Sequence, residues 1–303
     1  MKLRITDSPF QQKCADNLNI DFDQNIELIS KSRFMGCMSI IFFCILNFNK
    51  KCNLLVLGDL RSFPQILALN LLKPERVIVV DDGIFSSLLF DSLYTQNYTN
   101  SKIKNFFLKR PISSLHKNLR LSFKSIFFTT KASMRAQNRG FEILPNKLRL
   151  TKNINQGIDL NKAIFIGQDL VELGIMTQNN YLKIINTVSD RMKKTGVNFY
   201  YYPHRAESED NLKQMASTID NCKFLERSLP IEDYFLNLKD LPIHVFTFYS
   251  TAIFSISRLF TDINCTVIYA DNSYLKYKNE VNTAYDLFNS EEEIDFENIN
   301  LND

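Results

Sequence analysis

The sequence predicts an α/β protein whose strands run parallel in doubly wound sheets. Three observations carry this. Short apolar runs such as Leu54-Leu55-Val56-Leu57 and Val77-Ile78-Val79-Val80 alternate with helical patterns, and strands apolar on both faces belong to buried parallel sheets. The alternation starts afresh at Lys162-Ala163-Ile164-Phe165-Ile166-Gly167, after a polar stretch at 150–161 that reads as a linker. Several of these strands end in charged or hydroxyl residues, and ligands of open α/β sheets bind beyond the carboxyl ends of the strands.

Leu3–Thr6 reads as the first strand, and Asp7-Ser8-Pro9 as a cap with a proline in the first turn of a helix running to about Asn19. A short strand near Ile26–Ser30 precedes an apolar helix at 34–47. That segment is too short and too interrupted (Gly36, Ser39, Asn47) to span a membrane, so a buried helix is expected. Strand 54–57 leads through Gly58-Asp59-Leu60-Arg61 into helix 63–72, and strand 77–80 ends in Asp81-Asp82-Gly83. In the second half the pattern gives helix 178–194, strand 197–202 stopped by Pro203, and helix 208–219. A short strand at Phe224-Leu225 and a helix opened by Pro230-Ile231-Glu232 follow. Strand 243–249 then meets Ser250-Thr251-Ala252, which reads as the cap of helix 253–260, and strand 265–269 comes last. The expected division is 1–155, 156–285 and a loose acidic tail at 286–303.

Composition narrows the chemistry. With 45% hydrophobic and 12% aromatic residues the chain has material for a real core, and a net charge of +3 does not by itself imply nucleic acid as a partner. The six cysteines form no CxxC pair and no metal spacing with the three histidines, so no metal site is expected and the thiols fit a reducing compartment. There is neither GxGxxG nor GxxxxGK[ST], so a phosphate would be held by side chains and a helix N-terminus. Met1–Thr6 runs into Asp7-Ser8-Pro9 without an apolar leader, and a cytoplasmic location is expected. The stretch 92–141 has ten Lys or Arg and no acid, with aromatics interleaved; it fits a solvated face, a cap over the sheet, or a peripheral contact with the membrane.

Candidate site residues cluster at strand ends. His204 and Arg205 follow strand 197–202 and suit an anionic ligand, though a solvated surface turn reads the same way. Ser250 and Thr251 stand at a helix start, where the dipole favours phosphate, or they are an ordinary N-cap. Glu232 fits two ribose hydroxyls or a first-turn acid. Asp82, closing a strand in the other half, is placed for general-base work or for a turn. Gln168 sits in the loop after the strand that begins at Lys162.

Taken in order, Ser8-Pro9-Phe10-Gln11, Asp81-Asp82-Gly83, Gly167-Gln168-x-Leu170-x-Glu172, Tyr202-Pro203-His204-Arg205-x-Glu207, Leu229-Pro230-x-Glu232 and Tyr249-Ser250-Thr251-Ala252 resemble bacterial GT-B sialyltransferases. More narrowly, they are similar to the lipooligosaccharide sialyltransferase and polysialyltransferase-like group, from residue 8 to about 270. The resemblance implies two Rossmann-like domains facing a central cleft, with a CMP-sugar held mainly by the C-terminal one and no cofactor besides that donor. Asp82 would then be the general base on the hydroxyl of a glycan or glycolipid acceptor, and His204 would protonate or stabilise the leaving phosphate. Glu232 would hold the cytidine ribose, and Ser250 and Thr251 the phosphate; Gln168 and Glu172 carry over less directly. Two departures stand out. Arg205 occupies a position where many relatives have proline, and Thr251 replaces a serine; the first adds a charge suited to phosphate and the second keeps the hydroxyl. The alternatives are another CMP-sugar donor, of the Kdo or legionaminic type, and a non-catalytic module that binds nucleotide or glycan.

Overall fold

The computed structural model describes residues 1–29, 32–60, 62–82, 121–125, 142–145, 156–270, 274–276, 278–289 and 294–299. The chain divides into two compact units, Met1–Arg149 and Leu150–Asp303.

The first unit holds a six-stranded, wholly parallel sheet of β1 (Lys2–Thr6), β2 (Gln24–Glu27), β3 (Leu54–Leu57), β4 (Arg76–Val80), β5 (Leu121–Ser125) and β6 (Glu142–Pro145), in the order β2-β1-β3-β4-β5-β6. Side chains alternate across this sheet. Leu3, Ile5, Leu55, Leu57, Val77 and Val79 pack in one core with residues of α2 (Arg33–Leu46) and α3 (Phe63–Leu72). Val56, Ile78 and Val80 face the other way, onto Cys14 and Ala15 of α1 (Pro9–Asp16). Helices on both faces make the sheet doubly wound. The order reverses between β1 and β3, the kind of switch point beyond whose carboxyl ends open α/β sheets bind ligands.

Three expectations change here. Helix α1 stops at Asp16 rather than near Asn19, because Asn17 caps it and Asn19 turns left-handed with φ of 51°. Strand β2 spans Gln24–Glu27, starting two residues earlier than 26–30 and ending three earlier, drawn into register by the pairing of Leu3 with Gln24. Helix α2 is not a buried helix: only Gly36 and Ile40 are buried, while Phe34, Phe42 and Ile45 are more than 60% exposed. Of the basic stretch 92–141, only the backbone of β5 belongs to the described residues, and the surface role expected of it lies outside them.

The second unit carries another six-stranded parallel sheet, of β7 (Gly157–Ile166), β8 (Asn198–Tyr202), β9 (Cys222–Phe224), β10 (Asp240–Thr247), β11 (Asn264–Ala270) and β12 (Asp295–Ile299). Its helices are α4 (Gln178–Lys194), α5 (Glu209–Thr218), α6 (Ile231–Asn237), α7 (Ala252–Leu259) and α8 (Lys278–Phe288). The core is strongly aromatic: Phe165 stacks on Tyr201 at 6.0 Å and meets Phe248 edge-on at 5.3 Å. The polar segment expected to end a linker, 157–161, is the first half of β7 and pairs with β10 from Gly157–Asp240 onward. Its polar residues fit because this half of the strand is not buried. The tail expected to be loose contributes the end of α8 and the edge strand β12, which pairs with β11 from Thr266 to Ala270.

Candidate active site

The sheet of the second unit has the order β12-β11-β10-β7-β8-β9. The chain winds outward through β7, β8 and β9, then crosses back to β10 and winds the other way, so the reversal falls between β7 and β10. All six strands are parallel, so the loops after β7, β8 and β10 emerge on one edge of the sheet. These loops carry Gln168 and Asp169, His204 and Arg205, and Ser250 and Thr251 respectively. The structure therefore brings these residues of the second unit to one sheet edge. Asp82 belongs to the first unit.

Gln168 fastens two of the loops. Its backbone N–H donates to the Tyr181 hydroxyl at 3.1 Å, and its Oε1 accepts the Tyr249 N–H at 2.9 Å. From Tyr181 a buried relay continues: its hydroxyl lies 2.7 Å from that of Tyr201, which donates to Glu207 Oε1 at 2.6 Å. When Glu207 is ionised it takes the Tyr201 proton in this bond, and Tyr181 is then the donor to Tyr201. The other Glu207 oxygen accepts the His204 N–H at 2.5 Å, so the relay ends on the backbone of the histidine.

Glu207 is 5% exposed. Burial raises its pKa to about 7, against the lowering effect of the bonds from Tyr201 and His204, and the nearby Glu172 and Asp169 carboxylates push it further up. Burial holds the Tyr181 and Tyr201 hydroxyls well above the usual phenol range, so both keep their protons. A side chain on Gly167 would collide with this relay: a Cβ there would lie 2.3 Å from the Tyr201 hydroxyl and 2.5 Å from Glu207 Oε2. Gly167→Ala is therefore expected to cost about 1–3 kcal/mol of stability as an overpacked buried site, read as a lower denaturation midpoint with an unchanged slope. A midpoint equal to that of the wild type would show that the relay can move aside.

The His204 ring is half-buried. Its Nδ1 accepts the Ala206 N–H at 3.3 Å and lies 3.6 Å from Asp169 Oδ1. With Nδ1 occupied as an acceptor, the donor that the neutral ring presents is Nε2–H. Burial lowers the pKa of His204; Asp169 opposes that, and Arg205 reinforces it. The turn that carries the ring is clamped from outside by Arg227, whose Nη1 donates to the carbonyls of His204 (3.1 Å) and Glu207 (2.7 Å) while Nη2 pairs with Glu209. Arg205 itself is exposed. Glu172 serves the same region as a cap for α5: it accepts the Ser208 N–H at 2.8 Å and the Asn211 amide at 2.7 Å. Burial raises its pKa, but these bonds outweigh that and hold it below the usual range.

Glu232 lies in the first turn of α6 and is buried, which distinguishes it from a solvated first-turn acid. The loop before it is held by the Tyr202 hydroxyl, which donates to the Leu229 carbonyl at 2.5 Å. Of the segment Ser250-Thr251-Ala252 expected to cap α7, Ser250 supplies the side-chain bond and Thr251 none. Thr251 takes the N-cap position in helical conformation without a side-chain cap bond, and Ser250 Oγ accepts the Ala252 N–H at 3.3 Å. The Ile253 and Phe254 N–H groups bond to the carbonyls of Ser250 and Thr251. The features this helix start offers an anion are two hydroxyls and the positive end of the dipole.

In the first unit, Asp82 follows β4 at the carboxyl edge of that sheet. Its Oδ1 accepts Gln11 Nε2–H at 2.8 Å, and Gln11 Oε1 in turn accepts the Asp7 N–H at 3.0 Å. Gln11 is fixed by its place on α1, which starts at the Ser8 cap with Pro9 at its beginning. The approach is close enough that a Cβ on Gly58 would fall 1.8 Å from Gln11 Oε1. The Ser-Pro-x-Gln and Asp-Asp segments thus meet through one buried amide.

Sequence reasoning did not single out Asp169, Arg227 or the two relay tyrosines, and it named Gln11 and Glu207 only within their motifs, without a role. For Glu207 a further signal existed, as an acid three residues past a histidine at a strand end.

A family model described as Alpha-2,8-polysialyltransferase (POLYST) matches residues 67–269. Comparison with the sequences of curated proteins finds no match. Among solved structures, the chain is similar to a 2,6-sialyltransferase of Vibrionaceae Photobacterium sp. JT-ISH-224, in a ternary complex with the donor product CMP and the acceptor substrate lactose. That likeness is at 12% identity over 97% of this chain and 78% of that one, with a TM-score of 0.53. It is also similar to S. aureus MnaA in a structure with UDP, at 13% identity over 89% of this chain and 80% of that one, with a TM-score of 0.53. At these identities the likeness is one of fold.

Proposed function

The chain belongs to the alpha-2,8-polysialyltransferase family and is a glycosyltransferase of the GT-B class, and from this premise we propose that it moves a sialic or related nonulosonic acid from a CMP-sugar to a hydroxyl of a cell-surface glycan, with inversion. The observation that carries the proposal is the His204 imidazole at the carboxyl end of β8, with Asp169 beside Nδ1 and Nε2–H as the available donor.

In the proposed reaction the acceptor oxygen attacks the anomeric carbon as the bond from that carbon to the CMP phosphate breaks. The electron pair of that bond goes to the phosphate. His204 Nε2–H donates to the phosphate oxygen that gains the charge, and Arg205 adds a positive charge at the same loop. An anionic phosphate beside the ring favours the imidazolium, opposing the effect of burial. Ser250 and Thr251 hold the phosphate by their hydroxyls, Glu232 takes the ribose hydroxyls, and Gln168 keeps the β7 and β10 loops together around the donor. Asp82, oriented by Gln11, removes the acceptor proton. Phosphate is already a good leaving group, so the proposal needs no metal and no cofactor beyond the donor. The acceptor is a glycolipid or capsular glycan, and nucleic acid has no part in it.

The test is a pair of measurements. CMP is expected to raise the melting temperature, and CMP-sialic acid is expected to be consumed, by transfer in the presence of a glycan acceptor and by slow hydrolysis without one. A chain indifferent to CMP and inert toward CMP-sialic acid would falsify the proposal; turnover of a different CMP-sugar alone would replace the sugar and keep the site. Removing both hydroxyls, Ser250→Ala with Thr251→Ala, is expected to weaken CMP binding by about ten- to a hundredfold, the scale of lost hydrogen bonds to a charged group. Calorimetry giving the wild-type affinity would take these residues out of the phosphate site.

A further inference from the structure

Helix α2 is apolar all round, a pattern proper to helices buried on every side or set in lipid. Its inner side is fixed: Ile40 is fully buried, and Gly36 lies so close to α3 that a Cβ would sit 2.9 Å from Pro64 Cγ. Its outer side presents Phe34, Met38, Phe42, Ile45 and Leu46 to solvent, continued by Phe48, which is 80% exposed. At fourteen residues and about 1.5 Å per residue it is roughly 21 Å long, short of the ~30 Å hydrocarbon core. No helix among the described residues is long and apolar enough to cross a membrane.

Two further observations bear on what covers this face. Ser39 Oγ donates to the Met35 carbonyl at 2.9 Å and Asn47 Nδ2 to the Phe43 carbonyl at 3.0 Å, so the Ser39 hydroxyl proton and one Asn47 amide proton are taken up by carbonyls of the helix itself, which lowers the cost of an apolar surrounding. The charge is one-signed: from Leu28 to Gly58 the sequence holds Lys31, Arg33, Lys50 and Lys51 and no Asp or Glu. Arg33, Lys50 and Lys51 are exposed at the two ends of the apolar face, with Lys51 also paired to Glu75. A second copy of the helix laid against the first would bring these cations together in either direction. An anionic surface meets both the apolar stripe and its basic ends.

We infer that α2 lies in the plane of an anionic lipid surface, with Phe34, Met38, Phe42 and Ile45 dipped below the headgroups and Arg33, Lys50 and Lys51 on the phosphates. This contact is separate from the basic stretch 92–141 and does not rest on the proposed reaction.

The chain contains no tryptophan, so one can be introduced as a sole reporter. In full-length Phe42→Trp, vesicles of phosphatidylcholine with one quarter phosphatidylglycerol are expected to shift the emission to the blue, and brominated acyl chains to quench it. Leu160→Trp, at a position 67% exposed on β7, is expected to keep its emission. Phe42→Glu with Ile45→Glu is expected to lower vesicle binding at least about tenfold, with far-ultraviolet circular dichroism unchanged. Emission of Phe42→Trp indifferent to anionic vesicles overturns the inference. So does emission already blue-shifted without lipid, whether the protein sediments as a dimer (a second copy covers the face) or as a monomer (the chain itself covers it).

Discussion

Asp82→Asn is expected to lower turnover by roughly two to four orders of magnitude, the range for removal of a general base, while CMP affinity stays within about twofold of the wild type. The substitution is nearly isosteric. An asparagine oxygen still accepts the Gln11 amide proton, which in the wild type reaches Asp82 Oδ1 at 2.8 Å, so that anchor is kept while the basicity is lost. In the proposed reaction the donor binds the other unit, so a drop confined to turnover distinguishes lost basicity from a distorted fold. The measurements are steady-state transfer from CMP-sialic acid and calorimetry with CMP. Turnover at the wild-type level would remove Asp82 from the mechanism without touching the donor site.

Glu207 carries the second large effect. In Glu207→Ala the Tyr201 hydroxyl and the His204 N–H both lose their acceptor, at about 1–3 kcal/mol for each buried group left unsatisfied. Turnover is expected to fall by about a hundredfold or more, because the backbone that aims the imidazole is released. Glu207→Gln separates the two consequences. Its amide can accept from only one of the Tyr201 hydroxyl and the His204 N–H and presents its NH2 group to the other, so activity is expected to fall while much of the packing survives.

The pH dependence of stability gives an independent reading. Burial lifts the Glu207 carboxyl from an ordinary 4.5 to about 7, so between these values the folded protein holds a proton that the unfolded chain has released. Glu207 therefore contributes stability in full below about pH 4.5 and loses it as pH rises through about 7. Glu207→Gln is expected to remove that part of the slope. Denaturation midpoints of wild type and variant falling in parallel across the window would show that Glu207 titrates normally.

Much of the fold was legible because the buried strands are continuous apolar runs. Leu54–Leu57, Val77–Val80 and the second half of β7 needed no tertiary information. Helix α2 was misread for a physical reason: its apolar pattern has no polar face, so the sequence cannot tell core from surface. Strand β12 was missed because its acidic residues resemble a solvated tail, and only pairing with β11 makes it a strand. At the candidate site, the positions of Asp82, Gln168 and His204 at strand ends followed from the ends themselves. The relay did not, since Tyr181 and Tyr201 come from different elements and their hydroxyls look like ordinary core tyrosines until Glu207 is seen beneath them. Nor could the sequence show that Thr251 makes no side-chain cap bond, because Ser-Thr before an apolar run is the usual signature of one.

The tyrosine relay makes the β7 and β8 loops one mechanical part. Gln168 hangs from Tyr181, and His204 hangs from Glu207, at opposite ends of the same short string of hydroxyls. A change that shifts the Gly167–Asp169 loop is expected to drag the histidine with it. If the proposed reaction holds, donor choice and phosphate departure cannot be tuned one at a time, and an engineered change of sugar will need compensating substitutions at Tyr181, Tyr201 or Glu207 to bring the ring back.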